Sequence, residues 1–186
     1  MKRALFLAGV CAFLAVPALA QSPSTQNAQP MAPQQAAPAP SADSSQTPST
    51  ADFVKNAAIS GMFEIQSSQL ALQKKVRADR RFAQHMIHDH ERMAAQLKRL
   101  VRSAHVDTQV PTALDDQHQK MLDQLRGEDG ANFDKDYDQM QTQGHQEAVT
   151  LFQNYAQNGD NPQLKRWAAK TLPELQSHLA MAKKLS

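Results

Sequence analysis

Apolar side chains recur every three or four residues from Ala51 onward, and this helical period constrains the fold more than any other feature of the chain. No segment alternates between apolar and polar residues as a half-buried strand does. Start and stop signals predict helices from the Ser49–Asp52 capping box to about Lys74, from Ala78 to Ala104, from Asp115 to Gly127, from Gly130 to Asn158, and from Asn161-Pro162 onward. Because the turns at 75–77 and 159–161 are short, we expect an all-α antiparallel four-helix bundle, with a short extra helix between its second and third long helices.

The first twenty residues have the pattern of a secretory signal peptide. Lys2 and Arg3 form a positive start, residues 4–16 form an apolar run, and Ala18-Leu19-Ala20 is a small-residue cleavage site. The run is shorter than the ~20 residues that span a bilayer. We therefore expect cleavage after Ala20, a periplasmic or otherwise exported protein, and no transmembrane span in the mature chain. The alternative is an uncleaved anchor.

Composition beyond residue 20 excludes several kinds of chemistry and partner. Cys11, the one cysteine, lies in the predicted signal, so the mature chain has no disulfide, thiolate ligand or cysteine nucleophile. Lys2 and Arg3 account for the formal charge of +2, and the balanced remainder argues against a nucleic-acid partner. Residues 21–49 are rich in Gln, Ser, Ala and Pro and predict a disordered tether. The predicted organisation is signal peptide 1–20, tether 21–49 and helical domain 50–186.

Each long helix places an ionisable residue on its apolar face, and these four residues are Glu64, His90, His145 and His178. Further polar residues lie within or beside the inner arc of the third long helix: Asp134, Tyr137, Asp138 and Gln141. An unpartnered buried carboxylate costs several kcal/mol, so convergent groups of this kind indicate a bound metal ion or a structural polar network with trapped water. His88 points outward and His85 lies at the margin of the apolar stripe.

Residue counts from the turns indicate how these side chains are stacked. Glu64, His90 and His145 fall at one level, and His178 falls roughly 7 Å higher. Pro173 removes a helix hydrogen bond and could draw His178 closer. The counts leave open one site that includes His178 or two stacked tiers, and they do not favour a bridged pair of metals. Imidazole and carboxylate ligands suit zinc, copper, iron or nickel, and the sequence does not choose among them.

Four segments carry a family resemblance: FVKNAAISGMFEIQSSQLAL, FAQHMIHDH, FDKDYDQMQTQGHQEAVTLF and KTLPELQSHLAMAKKL. Over about residues 52–185 the chain resembles the bacterial exported proteins grouped as domain of unknown function 4142. The resemblance implies a ferritin-like four-helix bundle and places the recurrent polar positions of the family at Glu64, His90, Asp134, Tyr137, His145 and His178. It implies no activity.

Di-iron chemistry is disfavoured, because Ile87 and Leu175 stand where the Glu-x-x-His motif of di-iron proteins needs carboxylates. Two functions from different classes remain. The first is an envelope protein that holds one transition-metal ion through Glu64, His90, His145 and His178. The second is a non-catalytic envelope stress or interaction module whose buried Glu/His network is structural. Whether the protein is an enzyme stays open, with a non-enzyme favoured, and no protein partner is indicated.

Overall fold

The structure, a computed structural model, describes residues 47–75 and 80–185. Within these ranges the chain is all-helical and has no strand. The helices are α1 (Thr50–Gln73), α2 (Arg80–Ser103), α3 (Asp116–Gly127), α4 (Gly130–Asn158) and α5 (Pro162–Ala182). The predicted signal peptide, most of the predicted tether and the predicted start of α2 at Ala78 lie outside the described residues.

Local capping signals explain where three of the helices begin. Ser49 accepts a hydrogen bond from the Asp52 N–H, as the predicted capping box requires. Asp115 accepts from the His118 N–H at the start of α3. Asn161 accepts from the N–H groups of Gln163 and Leu164 at the start of α5. Each cap satisfies backbone donors that have no partner inside the helix.

Packing joins α1 to α2 and α4 to α5 along much of their length, and α3 lies against α1 and α4. The buried apolar residues form two clusters. The first apolar cluster contains Phe53, Leu97, Phe152, Tyr155, Leu164 and Trp167, and the second contains Phe63, Phe82, Leu122, Leu125, Phe133 and Tyr137. On α2, α4 and α5 the buried histidine lies in sequence between the residues of the two clusters. A buried polar layer therefore interrupts the apolar core.

The N-terminus of α1 is held against the turn between α4 and α5. Thr50 hydrogen-bonds the Tyr155 hydroxyl, with 2.5 Å between the two oxygens, and donates to Asp160. Thr47, which the sequence assigned to the tether, donates to the Asn154 side chain. The ring of Phe53 stacks on that of Tyr155 at a centroid distance of 3.9 Å. The contacts at this end of α1 thus begin before residue 50.

None of the helices described here combines the length and the apolar character needed to cross a bilayer.

Candidate metal centre

Three histidines from three helices meet in the buried polar layer. His90 on α2, His145 on α4 and His178 on α5 are at most 4% exposed. Their ring centroids form a nearly equilateral triangle with sides of 5.4, 5.5 and 5.6 Å. One ring nitrogen from each lies within 4.8 Å of those from the other two. We call His90, His145 and His178 the histidine triad.

Hydrogen bonds fix the ring nitrogen that carries the proton in two members of the triad. His145 Nδ1 lies 2.8 Å from the Gln141 carbonyl oxygen, which can only accept, so Nδ1 donates. His178 Nε2 donates to Asp89 Oδ2 at 3.1 Å. The lone pairs of the neutral rings are therefore on His145 Nε2 and His178 Nδ1. A histidine whose far nitrogen donates to a carboxylate or a carbonyl is the usual arrangement of a metal ligand.

The remaining nitrogens of the triad have no hydrogen-bond partner within residues 47–75 and 80–185. His90 Nε2, His145 Nε2 and His178 Nδ1 are all buried and unbonded in this part of the chain. Burial of an unsatisfied polar atom costs about 1–3 kcal/mol. Two of these three atoms carry lone pairs that hydrogen bonds on the far side of the ring fix in place, and all three are positioned to contact one metal ion or one water molecule.

Burial keeps the triad uncharged. Desolvation lowers the pKa of His145 and of His178 to about 4, and repulsion by His145 adds to the shift of His178. Desolvation, together with repulsion by the other two rings, holds the pKa of His90 well below its usual value. All three rings are neutral at neutral pH, and the neutral imidazole is the form that binds a metal.

The spacing of the triad suits a transition metal after a small adjustment. Zinc binds imidazole nitrogen at about 2.0–2.1 Å, so three nitrogens around a tetrahedral ion lie about 3.4 Å apart. The nitrogens of the triad lie within 4.8 Å of one another, so side-chain rotations that move them by at most about 1.4 Å would bring them to this spacing. Three protein ligands would leave a fourth position for water or a further ligand.

Glu64 lies beside the triad, next to His145. Its Oε1 is 3.8 Å from His145 Nδ1, on the opposite side of the ring from the free lone pair. Desolvation raises the pKa of Glu64 to about 8, so this carboxyl is protonated at neutral pH. Its Oε2 has no hydrogen-bond partner within the described ranges. Glu64 also lines a cleft of about 360 Å³ between α1, α3 and α4. Coordination by Glu64 stays a prediction.

Because Gly144 has no side chain, it leaves the space that the Glu64 carboxyl group occupies. A Cβ atom at residue 144 would lie 2.9 Å from Glu64 Oε1, closer than real Cβ atoms come to their neighbours. Gly61 faces His90, where a Cβ would lie 3.8 Å from Nδ1, an ordinary contact. A cavity of about 30 Å³ next to His90 is also lined by Trp167 and Leu175. Small residues on α1 and α4 thus leave space around the polar layer.

The residues predicted around the site have different surroundings. Gln141 is buried, and while its carbonyl accepts from His145, its side chain donates to Ser67. The hydroxyls of the buried Tyr137 and Ser68 are hydrogen-bonded at 3.0 Å. Asp134 and Asp138 are only half-buried. Of these four residues, Gln141 hydrogen-bonds a member of the triad in the contacts described.

His178 lies in the same layer as His90 and His145, because the three centroid distances are nearly equal. The structure therefore brings the three histidines into one site and not into two tiers. The helix α5 continues through Pro173 to Ala182. Residue counting misplaces His178 because it treats the helices as parallel rods and ignores the direction in which each side chain leans.

Two site residues escaped the sequence-based prediction. Asp89 on α2 accepts hydrogen bonds from both His178 and Arg92. Burial alone would raise the pKa of Asp89, but the hydrogen bond from His178 and the other neighbours outweigh it and hold the pKa below its ordinary value. His85, one helical turn earlier, has its Nε2 3.2 Å from Asp89 Oδ2. The i, i+4 spacing of His85 and Asp89 was the signal in the sequence.

Comparisons with known proteins give one family. The model of the domain of unknown function named DUF4142 matches residues 33–185, which is most of the chain. Neither the curated proteins nor the solved structures gave a match. The match includes all five helices and every residue of the candidate metal centre. The chain belongs to the DUF4142 family.

Proposed function

We propose that this protein binds one transition-metal ion through His90, His145 and His178. The observation that carries the proposal is the set of three buried, neutral imidazoles, each with an unbonded nitrogen in the same layer. Imidazole ligands suit zinc, copper, iron and nickel. The proton of His178 is held by Asp89 and that of His145 by the Gln141 carbonyl, which orients both rings.

We further propose that α1, α2, α4 and α5 form an antiparallel ferritin-like bundle around this ion, and that the protein works in the cell envelope after export. The three-residue turn between α4 and α5 and the long contact between these helices support the arrangement. The signal-like first twenty residues support export. The predicted absence of a nucleic-acid partner rests on the balanced charge beyond residue 20.

Elemental analysis of protein purified without a histidine tag tests the metal. We expect about one transition-metal ion per chain, retained through size-exclusion chromatography. His145→Gln should lose the ion, because the amide is a weak metal ligand. His88→Ala is the control, since His88 is exposed on α2 and should leave the metal content unchanged.

Thermal melts separate metal binding from a structural network. A metal that binds only the folded chain stabilises it by ~2.7 kcal/mol at a hundredfold excess over its dissociation constant. The parent should therefore melt higher with zinc than with chelator, and His145→Gln should not respond. If chelator and zinc give the parent the same melting temperature, the triad is a structural polar network and the proposal is wrong.

A further inference from the structure

The histidine triad is closed to solvent, so a metal ion needs a route to it. All three rings are at most 4% exposed. One of them, His178, also belongs to a second group of residues with metal-binding side chains, together with His85 and Asp89. In this second group, too, the three ligand atoms lie within 4.8 Å of one another.

The second group connects the triad to the surface. The side chain of His85 is 47% exposed, that of Asp89 is 11% exposed and that of His178 is 1% exposed. Asp89 Oδ2 lies 3.2 Å from His85 Nε2 and 3.1 Å from His178 Nε2. The ring centroids of His85 and His178 are 5.3 Å apart, as close as those within the triad. A continuous set of ligand atoms therefore leads from solvent to the buried layer.

We propose that His85, Asp89 and His178 form an outer metal site, which takes a divalent transition-metal ion from solution and passes it to the triad. This inference rests on the proposed function, because the triad is the destination. A carboxylate and two imidazoles are an ordinary ligand set for such an ion. His178 is the shared ligand, since its Nε2 faces Asp89 and its Nδ1 is the nitrogen without a partner. An ion at the outer site would take the place of the proton on Nε2, with Nδ1 then carrying the ring proton. Transfer to the triad would return the proton to Nε2 and leave Nδ1 free to bind the ion.

The charges around Asp89 make the outer site a weak one. Arg92 donates to Asp89 Oδ1 at 3.4 Å and also pairs with Glu174. The guanidinium occupies one oxygen of the carboxylate and repels a cation beside it. Arg92 acts on the triad more weakly, as the last of the causes that lower the pKa of His90. In this proposal the three imidazoles of the triad hold the ion more tightly than the outer site does, so an ion captured outside moves inward.

Transfer kinetics test this route. The probe is zinc held by a chromophoric chelator, and its transfer to the metal-free protein is followed by stopped flow, with release to excess chelator measured in reverse. His85→Ala should slow both loading and release at least fivefold and leave the equilibrium affinity within twofold. If His85 lies on the route but is not a ligand in the final site, its substitution changes the loading rate and the release rate by the same factor.

His88→Ala is the matched control, because His88 is an exposed histidine on the same helix. It should load and release at the parental rates. Equal rates for His85→Ala and His88→Ala would overturn the outer site. A large loss of equilibrium affinity in His85→Ala would also overturn it, since His85 would then be a permanent ligand.

His85→Gln separates coordination from the polar contact with Asp89. The glutamine amide keeps a polar group near Asp89 but is a poor metal ligand, so this variant should load as slowly as His85→Ala. Parental loading by His85→Gln would mean that His85 acts only through its polar contact with Asp89 and would overturn the proposal. If the parent itself binds no zinc at equilibrium, the proposed function and this route fail together, whereas normal binding with unchanged rates removes only the route.

Discussion

Glu64 is a buried carboxyl group whose pKa is raised by desolvation, against the smaller lowering effects of a hydrogen bond with Gln141 and of the nearby His118. Its neighbour His145 is neutral at neutral pH, because burial lowers the pKa of that imidazole to about 4. The folded protein therefore keeps the proton on Glu64 up to about pH 8. The unfolded chain releases it around the ordinary value of 4.5. Folding thus holds a proton that the unfolded chain has lost, so the contribution of Glu64 to the stability of the metal-free protein falls as pH rises between these two values. The buried histidines act in the opposite direction, because their lowered pKa values add stability as pH rises through the ordinary value of 6.5.

We predict that Glu64→Gln removes most of this alkaline loss. Between pH 6.5 and 8 the metal-free parent should lose about 1.6 kcal/mol through Glu64, at up to 1.36 kcal/mol per pH unit, and the variant should not. Urea unfolding with chelator at the two pH values measures the difference. Glu147→Gln changes an exposed carboxyl of α4 and should retain the parental pH dependence. A parental pH dependence in Glu64→Gln would show that Glu64 is already ionised in the folded state.

Alanine substitutions at Gly144 and at Gly61 should have different effects on the stability of the protein. We predict that Gly144→Ala is less stable than Gly61→Ala by about 1 kcal/mol, because the new methyl group must displace the end of the buried Glu64 side chain. Gly61→Ala should be neutral or stabilising by up to about 1 kcal/mol, since its methyl group meets only an ordinary contact and helical Gly→Ala favours folding. Chemical denaturation of both variants measures the two effects. Equal effects would mean that Glu64 moves aside without cost.

The inward residues could be predicted from the sequence because helical periodicity alone decides which face is buried. His90, His145 and His178 are on buried faces as the period indicated, and His88 is exposed. Asp89 could not be found in this way. It lies 89 residues before His178, and a hydrogen bond between two helices leaves no period in either of them.

Helix α5 begins at the Asn161 cap, which was predicted from the sequence. Asn161 accepts from two backbone N–H groups at 3.0 and 3.1 Å, and Pro162 follows it at the first helical position. Helix ends depend on contacts between residues two to four positions apart, so they can be predicted without knowledge of the fold. The height of His178 relative to His90 and His145 could not be predicted in this way, because it depends on how α5 lies against α2 and α4.

We predict that Asn161→Ala lowers the free energy of unfolding by about 1 kcal/mol through loss of the cap. Gln157→Ala is the control, because Gln157 is an exposed residue inside α4, where alanine is at least as favourable as glutamine. Urea denaturation of the two variants gives the comparison. A silent Asn161→Ala would show that α5 is set by packing alone.

At the scale of the whole molecule, contacts with the helices begin before residue 50, where the sequence analysis placed the end of the predicted tether. Ser49 caps α1, and Thr47 donates to Asn154 on α4. These contacts could not be predicted from the composition of residues 21–49, because Ser and Thr residues are common both in flexible segments and at helix caps.

We predict that a chain beginning at Thr47 melts like the chain that begins at residue 21. A chain beginning at Thr50 should be less stable by about 1 kcal/mol, because it lacks the Ser49 cap. Calorimetry of the three chains measures this. A lower melting temperature for the chain that begins at Thr47 would mean that residues 21–46 contribute to stability.

Trp167 gives the protein an optical signal at its own candidate centre. It is the single tryptophan of the sequence, and its ring borders the same cavity of about 30 Å³ as His90. All indole fluorescence of the molecule therefore originates next to the polar layer. An open-shell ion such as Cu²⁺ bound by the triad quenches this emission, whereas the closed-shell Zn²⁺ does not. The unlabelled chain can thus report, by the brightness of one side chain, which kind of ion it has taken up.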